Sequence, residues 1–506
     1  MAIPPRPLPP EKLSPEGTAV LSHRSIDWRR IFFTALGVGL FLAFYLSPEW
    51  ADAVDPSGSR YALSRQGQLA IGLFLWAGIW WVFEVVPIGV TSITIGVVQA
   101  LFLIRDPRVA FTDFMDTSVW FIFGSIVIGM TFAKTGLTKR IAYKMLTLIG
   151  EKTSRIYLGA FVMTAALTLI MAHTAVAAAV FPLLLTIHGM YDSSGKPTRF
   201  GKGLFIGMAY VAGAGSIITL LGAARGAVAI GFFKEIVGRE ITFFELTRYM
   251  LPVGVVMVVL LWLYIMVVYR PERSEIPGLR DQARRLYGQL GPMRPKEITT
   301  LVIVFSAILI LSLRSFVPVL YPLDKSAVIL TTTVLFFLLN ILEIEDLESV
   351  PWNIILLFGG AMSIGFCLWQ TGAAEWMAIH WLTYLKDFPW LVFVLGMTFF
   401  VLLMTNFIMN VAAIAISMPV ALTMAPHLGV APEVILFASL VAAGMPFLLL
   451  VGAAPNAIAY ESRQYTAGEF FRVGIPASLL LMVVIAVFVW VIWPLMGMPV
   501  LLPSGG

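Results

Sequence analysis

Cysteine and charge are both scarce in this sequence. Cys367 is the single cysteine among 506 residues, which excludes a disulfide framework and a cysteine metal site. Charged residues make up 12% of the chain and hydrophobic residues 59%. Apolar runs long enough to cross a bilayer recur along the whole length. The composition is that of a polytopic α-helical membrane protein.

Catalytic and nucleotide-binding motifs are also missing. The sequence contains no HExxH, no G-x-S-x-G and no close pair of intramembrane carboxylates, so we do not expect an enzyme. It has no GxxxxGK[ST] loop, so ATP hydrolysis would need another chain. The net charge of +5 comes mostly from connecting loops. Basic loops indicate membrane topology and contact with lipid headgroups rather than binding of nucleic acid.

Two apolar stretches with polar tips organise the chain. Residues 156–190 and 390–427 are each too long for one crossing of roughly 20 residues and too short for two. Their tips read MAHTAVAAAVFP at 171–182 and MTNFIMNVAAIAISMP at 404–419. We expect two re-entrant hairpins, because non-helical backbone in a membrane must be buried in protein or line a wet cavity. One long tilted helix with a proline kink is the alternative for each stretch.

Apolar segments between these hairpins predict the remaining crossings. The predicted spans are 31–47, 69–86, 88–104, 119–137, 204–235 (interrupted), 248–269, 297–316, 326–342, 353–370, 435–460 (interrupted) and 472–495. The prediction is an all-α membrane protein with about eleven transmembrane helices and two re-entrant hairpins. Basic residues before the first span and throughout 271–296 place the tail at 1–30 and that loop in the cytoplasm.

The sequence predicts two repeats, one over residues 31–270 and the other over residues 297–506. Each contains a hairpin and then an interrupted helix, with GAARGA at 222–227 in the first half and GAAPNA at 452–457 in the second. The loops around the first hairpin are basic and their second-half counterparts are not, which predicts opposite orientations. Inverted repeats, broken helices and polar tips are together typical of secondary transporters with a binding site near the midplane.

These features resemble the divalent anion/sodium symporter family, the relatives of sodium-coupled dicarboxylate and citrate carriers. The resemblance runs from about Trp80 onward and rests on WWVFEVVPI at 80–88, LFGGAM at 357–362, the two tips, and PNAI at 455–458. It implies a homodimeric secondary active transporter of a small divalent anion, C4-dicarboxylate-like, in the cytoplasmic (inner) membrane. Alternating access would be driven by sodium or by exchange, and Na⁺ is the only cofactor implied.

The family's Ser-Asn-Thr triplet is altered at both tips. The triplets here are Ala172-His173-Thr174 and Met409-Asn410-Val411. By resemblance, the substrate would contact His173, Thr174, Arg225, Asn410, Val411, Pro455 and Asn456. By the same resemblance, a sodium ion would be held by Thr405, Asn410 and the carbonyl of Gly452.

Arg225 and His173 are the main departures in the first-half site. A guanidinium carries permanent charge and a donor fork suited to oxyanions, so Arg225 is predicted to replace a missing cation and to weaken coupling there. His173 is predicted to be either a hydrogen-bond donor to the anion or a proton-coupling group. Structural roles remain open, with Arg225 snorkelling or salt-bridged and His173 donating to a carbonyl in a packed hairpin.

Two other functions fit the same residues. A transporter of sulfate, a sulfonate or another oxyanion would suit the added arginine and the lost hydroxyls. A transport-deficient anion sensor of the same fold would suit the altered triplets.

Overall fold

The computed structural model describes residues 28–54, 60–194, 196–385, 389–407 and 409–502, and most of them are helical. Nearly all of the predicted tail at 1–30 lies outside the described residues. The first part of the chain forms α1 (Trp28–Leu46), α2 (Arg65–Val82), α3 (Ile88–Leu101), α4 (Pro107–Thr112), α5 (Thr117–Thr135), α6 (Leu137–Ile149), α7 (Thr153–Leu167), α8 (His173–Tyr191), α9 (Arg199–Ser216), α10 (Ala224–Val237) and α11 (Phe243–Val268).

The remaining helices follow a connecting segment after α11. They are α12 (Leu279–Gln289), α13 (Pro295–Leu313), α14 (Lys325–Leu338), α15 (Ile344–Glu348), α16 (Trp352–Gln370), α17 (Ala373–Leu385), α18 (Trp390–Phe407), α19 (Asn410–His427), α20 (Pro432–Ala443), α21 (Ala454–Tyr460), α22 (Ala467–Val487) and α23 (Trp493–Leu495). A π-helical turn, Phe488–Ile492, joins the last two. Short 3-10 helices cover Asp113–Met115, Pro318–Leu320 and Leu450–Gly452.

The helical membrane fold is confirmed. Within the described ranges, nine helical stretches are long and apolar enough to cross a membrane, and four shorter apolar helices of 10–17 residues accompany them. Many helices begin at a side chain that accepts a hydrogen bond from a backbone N–H of the first turn, which satisfies an otherwise unpaired donor. Such caps are Ser64, Asp116, Thr242, Asp324 and Thr466. The exact number of crossings stays a prediction.

Two elements differ from the sequence-based expectation. The predicted loop 271–296 contains α12, whose Leu279 and Ala283 are buried while the helix packs on α6. A helix of this kind is amphipathic rather than uniformly apolar, so hydropathy alone does not detect it. A two-stranded antiparallel sheet, β1 (Ala53–Val54) and β2 (Arg60–Tyr61), also interrupts the all-helical pattern.

Each predicted hairpin coincides with two helices that pack against each other. The first consists of α7 and α8, joined by residues 168–172, and the second of α18 and α19. Neither pair is one long kinked helix. Helix α19 lies in the interior of the protein, since 72% of its residues are buried. In α1, by contrast, only 11% of the apolar stretch that could cross a membrane is buried. The re-entrant course of the hairpins and the opposed orientation of the halves stay predictions.

The two broken helices meet at the centre of the molecule. The first consists of α9 and α10 with a break at 217–223, and the second of α20 and α21 with a break at 444–453. Tyr210 on α9 donates its hydroxyl to the carbonyl of Phe447 at 3.1 Å. A Cβ at Gly213 would lie 2.6 Å from the carbonyl oxygen of Gly444. The backbones of the two halves therefore contact each other directly, with room for hydrogen only.

Candidate functional site

The tip of the first hairpin is bonded to the first break. The backbone N–H of His173 donates to the carbonyl of Gly222 at 3.0 Å, and its Nδ1 lies 3.2 Å from the same oxygen. The Thr219 hydroxyl donates to the carbonyl of Leu169 at 2.8 Å. These bonds satisfy polar backbone groups that no helix pairs, which an apolar surrounding requires.

In the second half, two asparagine side chains form hydrogen bonds with the backbone groups that no helix pairs. The carboxamide oxygen of Asn406 accepts from the N–H groups of Leu448 at 2.8 Å and Leu449 at 3.3 Å. The carboxamide nitrogen of Asn456 donates to the carbonyls of Pro446 at 2.8 Å and Leu449 at 3.1 Å. Both asparagines are at most 2% exposed. They fix the course of the unwound segment between α20 and α21.

A glycine in each break approaches a threonine carbonyl of the neighbouring hairpin. A Cβ at Gly222 would lie 2.7 Å from the oxygen of Thr168, and one at Gly452 would lie 3.0 Å from the oxygen of Thr405. Thr168 precedes His173 by the same five positions that separate Thr405 from Asn410. The two halves therefore build the same local contact from different sequences.

A cavity of about 570 Å³ lies where these elements meet. The N-terminal residues of α8, α10, α19 and α21 form part of its wall. Residues of α5, of α16, of the first break and of the segment before α16 form the rest. Members of the first group are Ala172, His173, Thr174, Ala223, Ala224, Met409, Asn410, Val411, Gly452, Ala453 and Ala454. Four helix N-termini thus converge on one space, and the N–H groups of a helix's first turn have no partner within the helix itself.

Asn410 and Thr174 present free polar groups to this cavity. Asn410 is 8% exposed, whereas Thr174 is exposed. Neither side chain forms a hydrogen bond with another residue in the described part of the chain, although both line the cavity. A carboxamide and a hydroxyl are therefore available to a bound molecule.

The predicted site residues divide into three groups. His173, Thr174, Asn410, Val411 and Gly452 line the large cavity. Pro455 and Asn456 line a cavity of about 10 Å³ behind it, which His173 also borders. Arg225 and Thr405 are absent from the described linings of both. The roles assigned to these residues stay predictions.

Arg225 lies behind the wall rather than in it, which differs from the expectation that its guanidinium faces the substrate. Its Nη2 donates to the Ser216 hydroxyl at 2.7 Å. Only 1% of the residue is exposed.

The predicted cation ligands also differ in detail. The Thr405 hydroxyl donates to the carbonyl of Ala443 at 3.1 Å, while the Thr405 carbonyl is the group near Gly452. Among the described residues, no group of three or more His, Cys, Asp or Glu side chains is placed to hold a metal ion. Secondary transporters coordinate Na⁺ mainly through the carbonyls of unwound backbone, a kind of ligand that the two breaks supply.

The sequence analysis assigned no role to Asn406, although its carboxamide holds the unwound segment between α20 and α21. The available signal was a carboxamide in an otherwise apolar run, which is expensive in a membrane unless it is bonded. We predict that Asn406→Leu lowers the free energy of unfolding by about 1–3 kcal/mol, because two partly buried N–H groups lose their acceptor. Thermal unfolding in detergent measures this loss.

Thr398→Val is the matched control for that variant. Thr398 lies on the same helix, and its buried hydroxyl donates to the carbonyl of Val394 in its own helix at 2.6 Å. Its loss should cost less than about 1 kcal/mol, since that carbonyl keeps its helical partner. Equal stability of the two variants would contradict the role given to Asn406.

The helical membrane fold, with a partly polar cavity between two broken helices, defines the class of secondary transporters. The chain belongs to the divalent anion:Na⁺ symporter family, because the family model for the sodium:sulfate symporter transmembrane region matches residues 59–499. The family assignment made from the sequence is thereby confirmed. A secondary transporter is not an enzyme, as the sequence predicted.

Curated relatives and solved structures agree with this class. The chain is 25% identical over 463 residues to the sodium-dependent dicarboxylate transporter SdcS of Staphylococcus saprophyticus, covering 87% of this chain and 89% of the relative. It is 25% identical over 454 residues to SdcS of Staphylococcus aureus strain MRSA252, covering 86% and 87%.

Two solved transporters share the fold at low sequence identity. MtrF of Neisseria gonorrhoeae, described among antimetabolite efflux pumps, superposes with a TM-score of 0.58 at 12% identity, covering 94% of this chain and 96% of its own. The YdaH transporter of Alcanivorax borkumensis superposes with a TM-score of 0.55 at 15% identity, covering 93% and 98%.

Proposed function

We propose that this protein moves a small divalent organic anion, a C4-dicarboxylate or similar compound, across the cytoplasmic membrane by sodium-coupled alternating access. The observation that carries the proposal is the cavity into which Asn410 and Thr174 project free polar groups beside several helix N-termini. The naming of the SdcS relatives as sodium-dependent dicarboxylate transporters supports this choice of substrate.

The electrostatics of the cavity favour an anion. The N-terminal ends of α8, α10 and α19 each place partial positive charge at the cavity wall. Arg225 adds a buried positive charge behind the cavity wall. A volume of about 570 Å³ lies in the range of small-molecule sites, so a four-carbon dicarboxylate fits with water.

Sodium is proposed to bind in the second half of the site. Its proposed ligands are the carbonyls of Thr405 and Gly452 and the carboxamide of Asn410. The Thr405 carbonyl lies beside Gly452, whereas the Thr405 hydroxyl is already engaged. A cation at this position would place its charge next to an anion in the cavity. Sodium binding would thereby favour substrate binding, and the reverse would hold equally, which is the basis of coupling.

The cavity is proposed to open toward the cytoplasm in this structure. Its wall includes Ala133 near the end of α5, and Ser349 and Pro351 just before α16. These residues lie beside the surface ion pair of Lys134 with Asp346. The basic loops predict that this end of α5 faces the cytoplasm, with the N-terminus on the same side.

The resemblance to family members supports a homodimer in the inner membrane. Helices α11, α13 and α22 carry exposed apolar side chains such as Val255, Phe305 and Leu479. Surfaces of this composition suit lipid tails or a second copy of the chain.

Flux measurements test the proposed function. Proteoliposomes containing the protein should take up labelled succinate faster with external sodium than with choline, and unlabelled dicarboxylates should compete. Sulfate is the second candidate substrate, because the matching family model is that of sodium:sulfate symporters. Sodium-dependent uptake of sulfate and not succinate would favour it. Thermal stabilisation by succinate without any flux would instead favour the anion sensor.

A further inference from the structure

The guanidinium of Arg225 lies between the C-terminal ends of the first segments of both broken helices. Helix α9 ends at Ser216, whose hydroxyl accepts from Nη2 at 2.7 Å. Helix α20 ends at Ala443, and a Cβ on the next residue, Gly444, would lie 2.8 Å from the same nitrogen. One side chain of the first half thus reaches the break of the second.

This position is electrostatically suited to a cation. The C-terminal end of a helix carries partial negative charge on its unpaired carbonyls, and two such ends meet here. The Ser216 hydroxyl donates its proton to the carbonyl of Gly213 at 2.8 Å, so its lone pairs face Arg225. Because Gly444 has no side chain, the guanidinium of Arg225 fits beside it. A Cβ at position 444 would lie too close to Nη2 of Arg225.

The guanidinium of Arg225 forms no ion pair within the part of the chain that the structure describes. Its Nη1 is buried and has no hydrogen-bond partner among the same residues, while Nη2 is bonded to Ser216. Burying an unpaired charge is costly, so such residues inside membranes generally serve function rather than stability. The surrounding helix ends are what offsets the charge.

We propose that Arg225 is a tethered cation that permanently fills a monovalent cation site between the two broken helices. The site consists of the Ser216 hydroxyl and the carbonyl ends of α9 and α20. It requires no sodium ion while the guanidinium is present. The consequence for transport rests on the proposed function: sodium would act only at the second-half site of Thr405 and Gly452, with a Hill coefficient near one.

Removing the guanidinium should expose the site to free cations. Purified Arg225→Ala should gain thermal stability when choline chloride is replaced by sodium chloride, or when millimolar guanidinium is added, at constant ionic strength. An additional shift of roughly 1–2 °C over the wild-type response corresponds, for a chain of 506 residues, to one new site at a cation concentration about ten times its dissociation constant. Arg225→Lys, which keeps a tethered cation, should respond as the wild type does.

A double variant tests whether the added cation binds at the place that the guanidinium vacates. Arg225→Ala combined with Ser216→Ala removes one ligand of the site and should lose most of the gained shift. Arg225→Ser, which also empties the space of the guanidinium, serves if the alanine variant does not fold. Cation responses identical to the wild type in the folded alanine or serine variant would overturn the proposal.

Transport adds a separate readout. Sodium-dependent uptake by Arg225→Ala should become steeper than in the wild type, with the Hill coefficient moving from near one toward two. An unchanged coefficient in a variant that retains uptake would count against the tethered cation. If the wild type carries no anion at all, the proposed function fails, whereas the melting experiment still decides whether Arg225 fills a cation site.

Discussion

Alanine in place of Asn410 is expected to lower substrate affinity roughly 10- to 150-fold and to remove the sodium dependence of uptake at the same time. Its carboxamide lines the cavity and is unpartnered among the described residues, so it is available to the cargo. A hydrogen bond to a charged group contributes about 1.5–3 kcal/mol, which corresponds to that range of affinity. Uptake and succinate-induced thermal stabilisation, each measured against sodium concentration, check both effects.

Thr423→Ala is the control for this prediction. Thr423 lies on the same helix, α19, outside the described lining of the cavity, and its hydroxyl donates to the carbonyl of Pro419 at 2.8 Å. It should leave both measurements near the wild-type values. Full sodium-dependent uptake by the Asn410 variant would instead mean that the second hairpin tip is not part of the binding site.

Tryptophan at position 178 is expected to block transport while the protein still folds. Ala178 lies on α8, lines the large cavity and is exposed to it. A bulky side chain there would project into open space instead of overpacking a core, so stability should change little. Uptake and ligand-induced stabilisation should both fall at least about tenfold, because loss of a well-fitting site costs at least ~1.4 kcal/mol.

Leu185→Trp places the same side chain on the same helix away from the cavity. Leu185 is 41% exposed and is absent from the described lining. Uptake close to the wild type is expected, since lipid accommodates the ring. If Ala178→Trp retained normal uptake and normal ligand stabilisation, the cavity could not be the substrate pathway.

The elements that position the site could be predicted from sequence because their signals are local. Polar residues inside apolar runs predicted the tips at His173 and Asn410, and both begin helices at the cavity. The motifs GAARGA and GAAPNA predicted the interruptions, and α10 and α21 begin within them, at Ala224 and Ala454. Glycine and proline disfavour a continuous helix, so composition alone indicates a break.

The direction of individual side chains could not be predicted in the same way. Spacing placed Arg225 near the first tip, but the rotation of α10 decides whether its guanidinium faces the cavity or the helix ends behind it. The apolar runs around Asn406 and Asn456 indicate that both carboxamides are bonded, but only the folded course of residues 446–449 reveals their partners. Long-range contacts of this kind have no local sequence signal.

The contact of Gly213 with Gly444 limits how this carrier can move. Two backbones that touch without intervening side chains, and that are further joined by Tyr210 and Phe447, cannot slide past one another without losing that contact. We therefore expect both broken helices to travel as one rigid body during the transport cycle. The transported anion and the coupled ion would then be carried across together in one movement, instead of passing two gates that open independently.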